Sequence, residues 1–406
     1  MKKIITSMVC LCGAFTLSAQ QTIWDREQLS GDWGGKRSDW AAEGYKFSFT
    51  YDAEVFRNAS GGTRKGTVIN GLGYGALDID LDKVAGWSRA DFRISTLWTH
   101  GASSTGKHVG NELTVSNMDA YDGLRLYELW IEKTVGKNSV RFGNLLAEEE
   151  FGGTEYGGVF FNDAFGLPAF WSANTLNTGP AFNVTALGLR YRRNFTDAWY
   201  AQAAVYDGDT FDSASGDATI NQHGTHFELG NGQGWTSLYE IGRNGFNTDD
   251  GTGLPGWYRV GAWHHSTSFS KHDGTNGEGN WGVYGIADKM LWREEGDQGL
   301  GSFVRFGTGQ RDRSRFHWVF DTGLSYTGLL PGRDEDVAGL GFIYAKHAGD
   351  ITDAVKSHEA VIEATYRIQL TPAIYLQPDI QWVNRPSGDT TTSDALVFGL
   401  RAGFTF

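Results

Sequence analysis

The amino-acid sequence predicts an all-β fold: a transmembrane antiparallel β-barrel of about sixteen strands, with a short N-terminal helical segment and long extracellular loops. Three observations support this prediction. The 406 residues include 56 glycines and only 7 prolines, which suits many short strands joined by glycine-rich turns. Segments of about ten residues alternate between apolar and polar side chains, as the strands of membrane barrels do. The connections between these segments alternate between long and short.

The alternation in the strands has a period of two residues, which places unlike side chains on opposite faces. The clearest segments are KFSFTYDAEV (46–55), RLYELWIEK (125–133), EAVIEATYRIQ (359–369), AIYLQPDIQWV (373–383) and DALVFGLRAGFTF (394–406). In each segment the apolar set is predicted to face lipid and the polar set a watery lumen. Tyr127 is accordingly expected on the lipid side and Glu128 on the lumen side.

The connections of the N-terminal half alternate in length. The long ones span residues 56–72, 100–123, 147–184 and 208–235, and the short ones span residues 83–89, 134–137 and 194–197. Long loops outside and tight turns in the periplasm are typical of outer-membrane barrels. An even strand number also closes the sheet without an edge and leaves both chain ends in the periplasm. In the C-terminal half the alternation fades, apart from a tight turn at residues 370–372.

The N-terminus indicates export. Residues 1–19 have two lysines, an apolar stretch and a small-residue exit, which is the pattern of a secretory signal peptide. Cleavage after Ala19 would remove both cysteines. Residues 20–45 are predicted to form a periplasmic segment with a short helix, capped by Asp32 or Ser38 and ended by Gly44. The barrel is predicted to occupy residues 46–406.

Charge and motifs exclude several kinds of site. The formal net charge of −13 disfavours a nucleic-acid partner, and it predicts that neutral or cationic solutes pass more easily than anions. Asp78, Asp80 and Asp82 do not continue into an EF-hand calcium loop, and they are interpreted as the polar face of a strand. No metal site, cofactor or catalytic residue is predicted.

Four stretches and the terminal strand carry a resemblance to a known family. The stretches are LSGDWGGKRSDWAAEGYKFSFTYDAEVFRNASGG (29–62), VSNMDAYDGLRLYELWIEK (115–133), RFGNLLAEEEFGGTEYGGVFFNDAFGLPAFWSANTLNTGPAF (141–182) and HEAVIEATYRIQLTPAIYLQPDIQWVNRP (358–386). In their order and extent they resemble the carbohydrate-selective porins of the OprB family. The resemblance implies a sixteen-stranded barrel in the outer membrane of a Gram-negative-type bacterium, through which mono- and small oligosaccharides diffuse passively. Glu148 stands where the family usually has an aspartate.

The connection at residues 147–184 is the candidate inward-folded constriction loop, because so long a structureless connection is usually functional. Its carboxylates, amides and aromatic rings are groups that bind sugars. Charged residues on the flanking strands are predicted to face the lumen and to orient polar solutes. The predicted binding and constriction residues are Arg93, Glu128, Glu132, Arg141, Glu148, Glu150, Asn162, Trp171 and Asn174. Glu149 is expected to be an exposed acidic residue of the turn.

The predicted partners are carbohydrate solutes, outer-membrane lipid and the barrel assembly machinery, which would recognise the terminal Phe406. The sequence leaves a homotrimer open. The alternative function is an outer-membrane β-barrel hydrolase of the lipase or protease type, which would need a nucleophile and a base. An energy-coupled transporter is a weaker alternative, since no globular plug is predicted before the first strand.

Overall fold

A computed structural model describes residues 22–213, 215–230, 232–243, 245, 253–294, 296–349 and 357–406. The predicted signal peptide, residues 1–19, lies outside the described residues. The described chain forms one closed antiparallel barrel of sixteen strands, in which each strand pairs with its neighbours in sequence and the first pairs with the last. The predicted fold class and strand number are therefore confirmed.

The strands are β1 Tyr45–Ser60, β2 Gly66–Asp80, β3 Ala90–Gly101, β4 Gly123–Val135, β5 Asn138–Leu145, β6 Ala186–Asn194, β7 Trp199–Asp207, β8 Trp235–Arg243, β9 Gly256–Ser270, β10 Asn276–Arg293, β11 Gly299–Thr308, β12 Phe316–Thr327, β13 Val337–His347, β14 His358–Thr371, β15 Ile374–Asn384 and β16 Ala395–Thr405. The α-helices are α1 Lys36–Glu43, α2 Leu81–Ala85, α3 Asp163–Gly166 and α4 Ala169–Ser172. Single helical turns lie at Trp33–Gly35, Thr105–Val109, Leu176–Thr178 and Pro386–Gly388. Among the described residues, no helix is long and apolar enough to cross a membrane.

The two faces of the strands follow the predicted period. In β16, Phe398 and Leu400 are exposed on the outside, whereas Ala395 and Val397 are fully buried. In β14, Ile362 is exposed and Glu363 is buried. The outside of the barrel is therefore apolar and the inside carries the polar side chains, as a membrane barrel requires.

The two ends of the barrel differ. The turn end carries the start of β1, the end of β16 and the two-residue turn at residues 136–137. The loop end carries the connections at residues 102–122, 146–185 and 208–234. The predicted alternation of connection lengths holds for these three loops and fails for the first, where only residues 61–65 separate β1 from β2.

The first connection was predicted too long because glycines interrupt the apolar pattern of β2. Gly71 and Gly73 leave room on the outer face for rings from adjacent strands: a Cβ on Gly73 would lie 3.2 Å from the ring of Trp98. The rings of Trp98 and His100 lie 4.8 Å apart beside these glycines. Neighbouring aromatic residues thus supply the apolar surface that the glycines lack.

The interpretation of Asp78, Asp80 and Asp82 as one strand face is wrong in part. β2 ends at Asp80, whose carboxylate accepts the backbone N–H groups of Asp82 and Lys83 at 3.0 and 3.3 Å. This is the hydrogen-bonding pattern of a helix N-cap. Asp82 consequently lies in the first turn of α2, and the connection predicted as a short turn at residues 83–89 already begins at Leu81.

Tyr127 was predicted to face lipid, but it is buried in a cluster with Leu97 and Leu146. The pairing of β3 with β4 shifts by one residue between Ile94 and Thr96. Such a bulge moves the following side chains to the other face. Glu128 nevertheless lies inside the barrel, as predicted, and its side chain is buried there.

The N-terminal segment packs on the turn end. Gly44 ends α1 with a φ of 105°, as predicted, but the N-cap is Gly35 and not Asp32 or Ser38, so the capping prediction is wrong. The carboxylate of Asp32 still accepts the N–H of Ser38, inside the helix, at 2.9 Å. Leu29 N donates to Thr405 O at 2.8 Å. The segment is therefore hydrogen-bonded to the closing strand of the barrel.

Candidate functional site: an inward-folded loop and a charged wall

The connection between β5 and β6, residues 146–185, crosses the interior of the barrel; we call it the inner loop. The N–H of Phe161 donates to Glu363 of β14 at 2.5 Å. In the ring of sixteen strands β14 lies eight strands from β6, on the opposite wall. Near its start the inner loop also contacts β8, where Glu240 accepts the N–H of Gly152 at 3.3 Å.

Buried polar groups on the wall satisfy the backbone of the inner loop. Glu363 also accepts the N–H of Asn162 at 2.8 Å, and Asp288 of β10 accepts that of Glu155 at 2.9 Å. Arg305 of β11 is fully buried and donates to Gly152 O at 2.7 Å and to Ala164 O at 2.6 Å. Because an unpaired buried backbone group costs roughly as much as a lost hydrogen bond, these side chains position the inner loop.

Aromatic packing supplies the second attachment of the inner loop. Phe165 and Phe170 are almost fully buried against the barrel wall. Glycines line the wall where the two rings pack. A Cβ on Gly341 would lie 2.5 Å from the ring of Phe165, and a Cβ on Gly307 would overlap the ring of Phe170. These inward glycines are a sequence signal for a packed loop, and sequence reasoning did not use them.

A second loop, residues 102–122, also folds inward. Glu359 of β14 accepts the N–H groups of Glu112 and Leu113 at 2.9 and 2.7 Å. The two loops are joined, since Asn117 N donates to Phe161 O at 2.7 Å. Burial alone would raise the pKa of Glu112, but hydrogen bonds from His347 and Arg315 outweigh it and lower that pKa to about 2. Sequence reasoning predicted a long connection here, at residues 100–123, but not that it folds inward.

Five of the predicted residues meet beside the start of the inner loop: Arg93, Glu128, Glu132, Arg141 and Glu150. Together with Asp78, Trp130 and Arg190 they form a cluster that we call the charged wall. Its ion pairs join Arg93 to Asp78 at 2.6 Å and to Glu128 at 3.6 Å, and Arg141 to Glu132 at 2.7 Å and to Glu150 at 2.9 Å. Arg190, which was not predicted, joins the same two carboxylates, Glu132 at 3.1 Å and Glu150.

Trp130 connects the two halves of the charged wall. The guanidinium of Arg93 lies 5.4 Å from its ring centroid and that of Arg141 lies 4.1 Å away. Cation–π contacts at these distances are attractive. The side chains of Arg93, Arg141, Glu132 and Glu150 remain partly exposed, between 12 and 28 %, so polar groups remain available to a solute.

Three other predicted residues, Asn162, Trp171 and Asn174, are buried within the inner loop, where protein surrounds their side chains. Trp171 is fully buried, so its ring face is covered by protein. The amide of Asn162 donates to Leu113 O at 2.9 Å. The Oδ1 of Asn174 accepts the N–H groups of Arg315 and Phe316 at 2.8 and 3.0 Å. These side chains serve the packing and the backbone hydrogen bonds of the loop.

Glu148 and Glu149 have different environments. Both carboxylate oxygens of Glu148 accept the N–H of Phe182, at 2.9 and 2.8 Å, which closes the base of the inner loop. Burial raises the pKa of Glu148 well above its usual range, although the Phe182 N–H opposes this shift. The Glu149 side chain is exposed, yet desolvation inside the barrel and the charge of Glu128 raise its pKa to about 7.

Comparison with known families decides what this barrel is. Residues 75–406 match the family model described as "Carbohydrate-selective porin, OprB family". The chain belongs to the OprB family. It is an outer-membrane carbohydrate porin, and the turn end of its barrel is the periplasmic end.

Two curated relatives and one solved structure have the same extent as this porin. The chain is 25 % identical to "Putative porin QuiX" of Acinetobacter baylyi, in an alignment that covers 98 % of each chain. It is 23 % identical to "Porin B" of Pseudomonas aeruginosa, covering 93 % of this chain and 91 % of that protein. The high-pH structure of Pseudomonas putida OprB has a TM-score of 0.84 at 20 % identity and covers 95 % of this chain and 100 % of that one. This likeness shows the shared barrel fold.

Proposed function

We propose that this porin admits neutral mono- and small oligosaccharides by passive diffusion through a channel narrowed by the inner loop. The observation that carries the proposal is the course of that loop, which runs from β5 to hydrogen bonds with Glu363 on the opposite wall. A loop held across the interior reduces the open cross-section and places polar groups around the remaining passage. The protein is proposed to act as a channel and not as an enzyme, without a cofactor.

The charged wall is proposed to line this passage. Arg93, Arg141, Glu132 and Glu150 offer guanidinium donors and carboxylate acceptors, which suit the hydroxyl groups of sugars. These charges already neutralise one another. A hydroxyl group of a passing sugar therefore replaces an existing contact of a charged side chain and does not add a new one. Weak, replaceable contacts of this kind permit conduction, whereas tight binding would block it.

We propose two further partners for the porin. Its apolar outer belt contacts outer-membrane lipid, and the barrel assembly machinery recognises Phe406. The Phe406 ring packs 5.3 Å from that of Phe49 in the closed barrel. A homotrimer stays a prediction. The hydrolase alternative has no support from the family match.

Liposome swelling with refolded residues 20–406 tests the proposed function. Glucose and a disaccharide should enter faster than an amino acid of similar size to glucose. Rates that follow solute size alone would instead indicate a general porin. Absence of swelling from a verified folded barrel would overturn the channel proposal.

A further inference from the structure

A cavity lies inside the periplasmic end of the barrel and shares Glu132 and Arg190 with the charged wall. Its volume is about 560 Å³, within the range of small-molecule sites. It lies between the β4–β5 turn and the β6–β7 turn. The charged residues that line it are Arg89, Lys137, Arg190, Arg192, Glu132 and Asp197.

Three of the four cations in this cavity have no carboxylate partner in the described part of the chain. Arg89 donates to Gly136 O at 3.2 Å and Lys137 to Phe195 O at 2.9 Å, both neutral carbonyl groups. Arg192 reaches only amide oxygens, with Asn194 Oδ1 at 3.2 Å and Gln202 Oε1 at 3.4 Å.

The cavity lining holds two carboxylates: Asp197, which is exposed, and Glu132, which is already neutralised. Both oxygens of Glu132 are bound, one by Arg141 and the other by Arg190. Arg192 is additionally held in place by Tyr200, whose ring centroid lies 3.8 Å from its guanidinium carbon. The cavity therefore presents an excess of positive charge, in a chain whose net charge is −13.

We propose that this cavity is a binding site for the carboxylate group of a polyhydroxylated acid, such as a sugar acid. The cations would bind the carboxylate, and Thr134 and Ser139 in the cavity lining supply hydrogen-bonding groups for the hydroxyls. The inference deepens the proposed function, because it places an anion site at the periplasmic exit of the same channel. It extends the substrate class from neutral sugars to their acids.

Gluconate and sorbitol form a matched pair of probes, since they differ chiefly in one carboxylate. Current block of single porin channels in a planar bilayer, with each probe added to either side, measures their apparent affinities. Gluconate should bind about fivefold more tightly than sorbitol, as expected for a partly solvated ion contact. The difference should shrink as KCl is raised from about 0.1 M to about 1 M, because salt screens charge.

Arg192→Gln should remove most of the preference for gluconate and leave sorbitol block unchanged. Arg193→Gln is the control, because the neighbouring Arg193 lies on the opposite, exposed face of β6. Should Arg192→Gln fail to fold, Lys137→Gln is a second test variant. Lys137 lies in a turn, where its ammonium group donates to a carbonyl group.

Equal block of the wild type by gluconate and sorbitol would overturn the proposal. Equal loss of gluconate preference in Arg192→Gln and Arg193→Gln would also overturn it. The two proposals fail separately: if glucose and the disaccharide enter no faster than the amino acid but gluconate preference persists, the sugar selectivity is wrong and the anion site stands.

Discussion

Single residues of the charged wall act through shared ion pairs. Arg141 and Arg190 each join Glu132 and Glu150, so four charges neutralise one another in one closed group. Removing one member would leave a partly buried charge without its partner, which costs more than the pair contributes. Sequence reasoning identified three of these four residues: Glu132 and Arg141 from the local period of two, and Glu150 as a carboxylate of the candidate loop. Arg190 was missed although it lies on the same face.

Glu149 should make conduction depend on pH. Its pKa is raised to about 7, so the carboxyl is protonated and neutral below that pH and negatively charged above it. The added negative charge near Glu128 should attract cations. We expect the cation-to-anion permeability ratio to rise roughly two- to fivefold between pH 6 and pH 8, the effect of one partly solvated charge.

Reversal potentials across a salt gradient measure this ratio. Glu149→Gln should hold the ratio near its low-pH value at every pH. Glu278→Gln changes an exposed carboxylate at the outer end of β10, and this control should keep the rise. A rise that persists in Glu149→Gln would show that another group titrates.

At the scale of elements, the inner loop owes its position to contacts that are remote in sequence. Glu363 binds the N–H of Phe161 from a position 202 residues away. Glycines on β11 and β13 provide a flat wall for Phe165 and Phe170. The length of the loop predicted that it had a function. Which of its residues face the passage could not be predicted, because Trp171 and Asn174 are typical of both packed and sugar-binding sites.

Gly307→Ala should loosen the inner loop. The added Cβ would overlap the ring of Phe170, and overpacking of this kind costs about 1–3 kcal/mol. We expect a lower thermal midpoint and a higher or noisier single-channel conductance, because the displaced loop should narrow the passage less. Thermal denaturation in detergent and planar-bilayer recording measure the two effects.

The matched control is Gly285→Ala in β10. A Cβ there would meet only Arg259 O, at 4.0 Å, so stability should change by less than about 0.5 kcal/mol and conductance should stay the same. Equal effects of the two alanines would show that Phe170 does not position the inner loop.

At the scale of the whole molecule, the barrel is closed by pairing of β1 with β16. The N-terminal segment covers the periplasmic end of this seam. Arg37 Nη2 donates to Phe406 O at 2.9 Å, and Leu29 N donates to Thr405 O at 2.8 Å. The segment thus holds the last residues of the closing strand after the barrel has formed.

Deletion of residues 20–44 should weaken the seam without changing the channel. Loss of these two hydrogen bonds should cost about 1–3 kcal/mol, which corresponds to a thermal midpoint lower by several degrees. Circular dichroism melting in detergent measures the midpoint. Deletion of residues 20–27 keeps Leu29 and Arg37 and is the control; an equal loss of stability in both would contradict the role of these contacts.

The sequence by itself determined the sixteen-stranded membrane barrel, its family and the polar face of the clearest strands, apart from the part of β4 that precedes its bulge. The strands and their faces depend on a period of two residues and on local composition, and the family depends on the order and extent of the resembling stretches; a sequence states all of these directly. Only the tertiary structure decided which loops fold inward, which loop residues are buried, and where positive charge collects inside an acidic chain. Those features depend on contacts such as that of Phe161 with Glu363, which join distant parts of the chain and leave no local pattern.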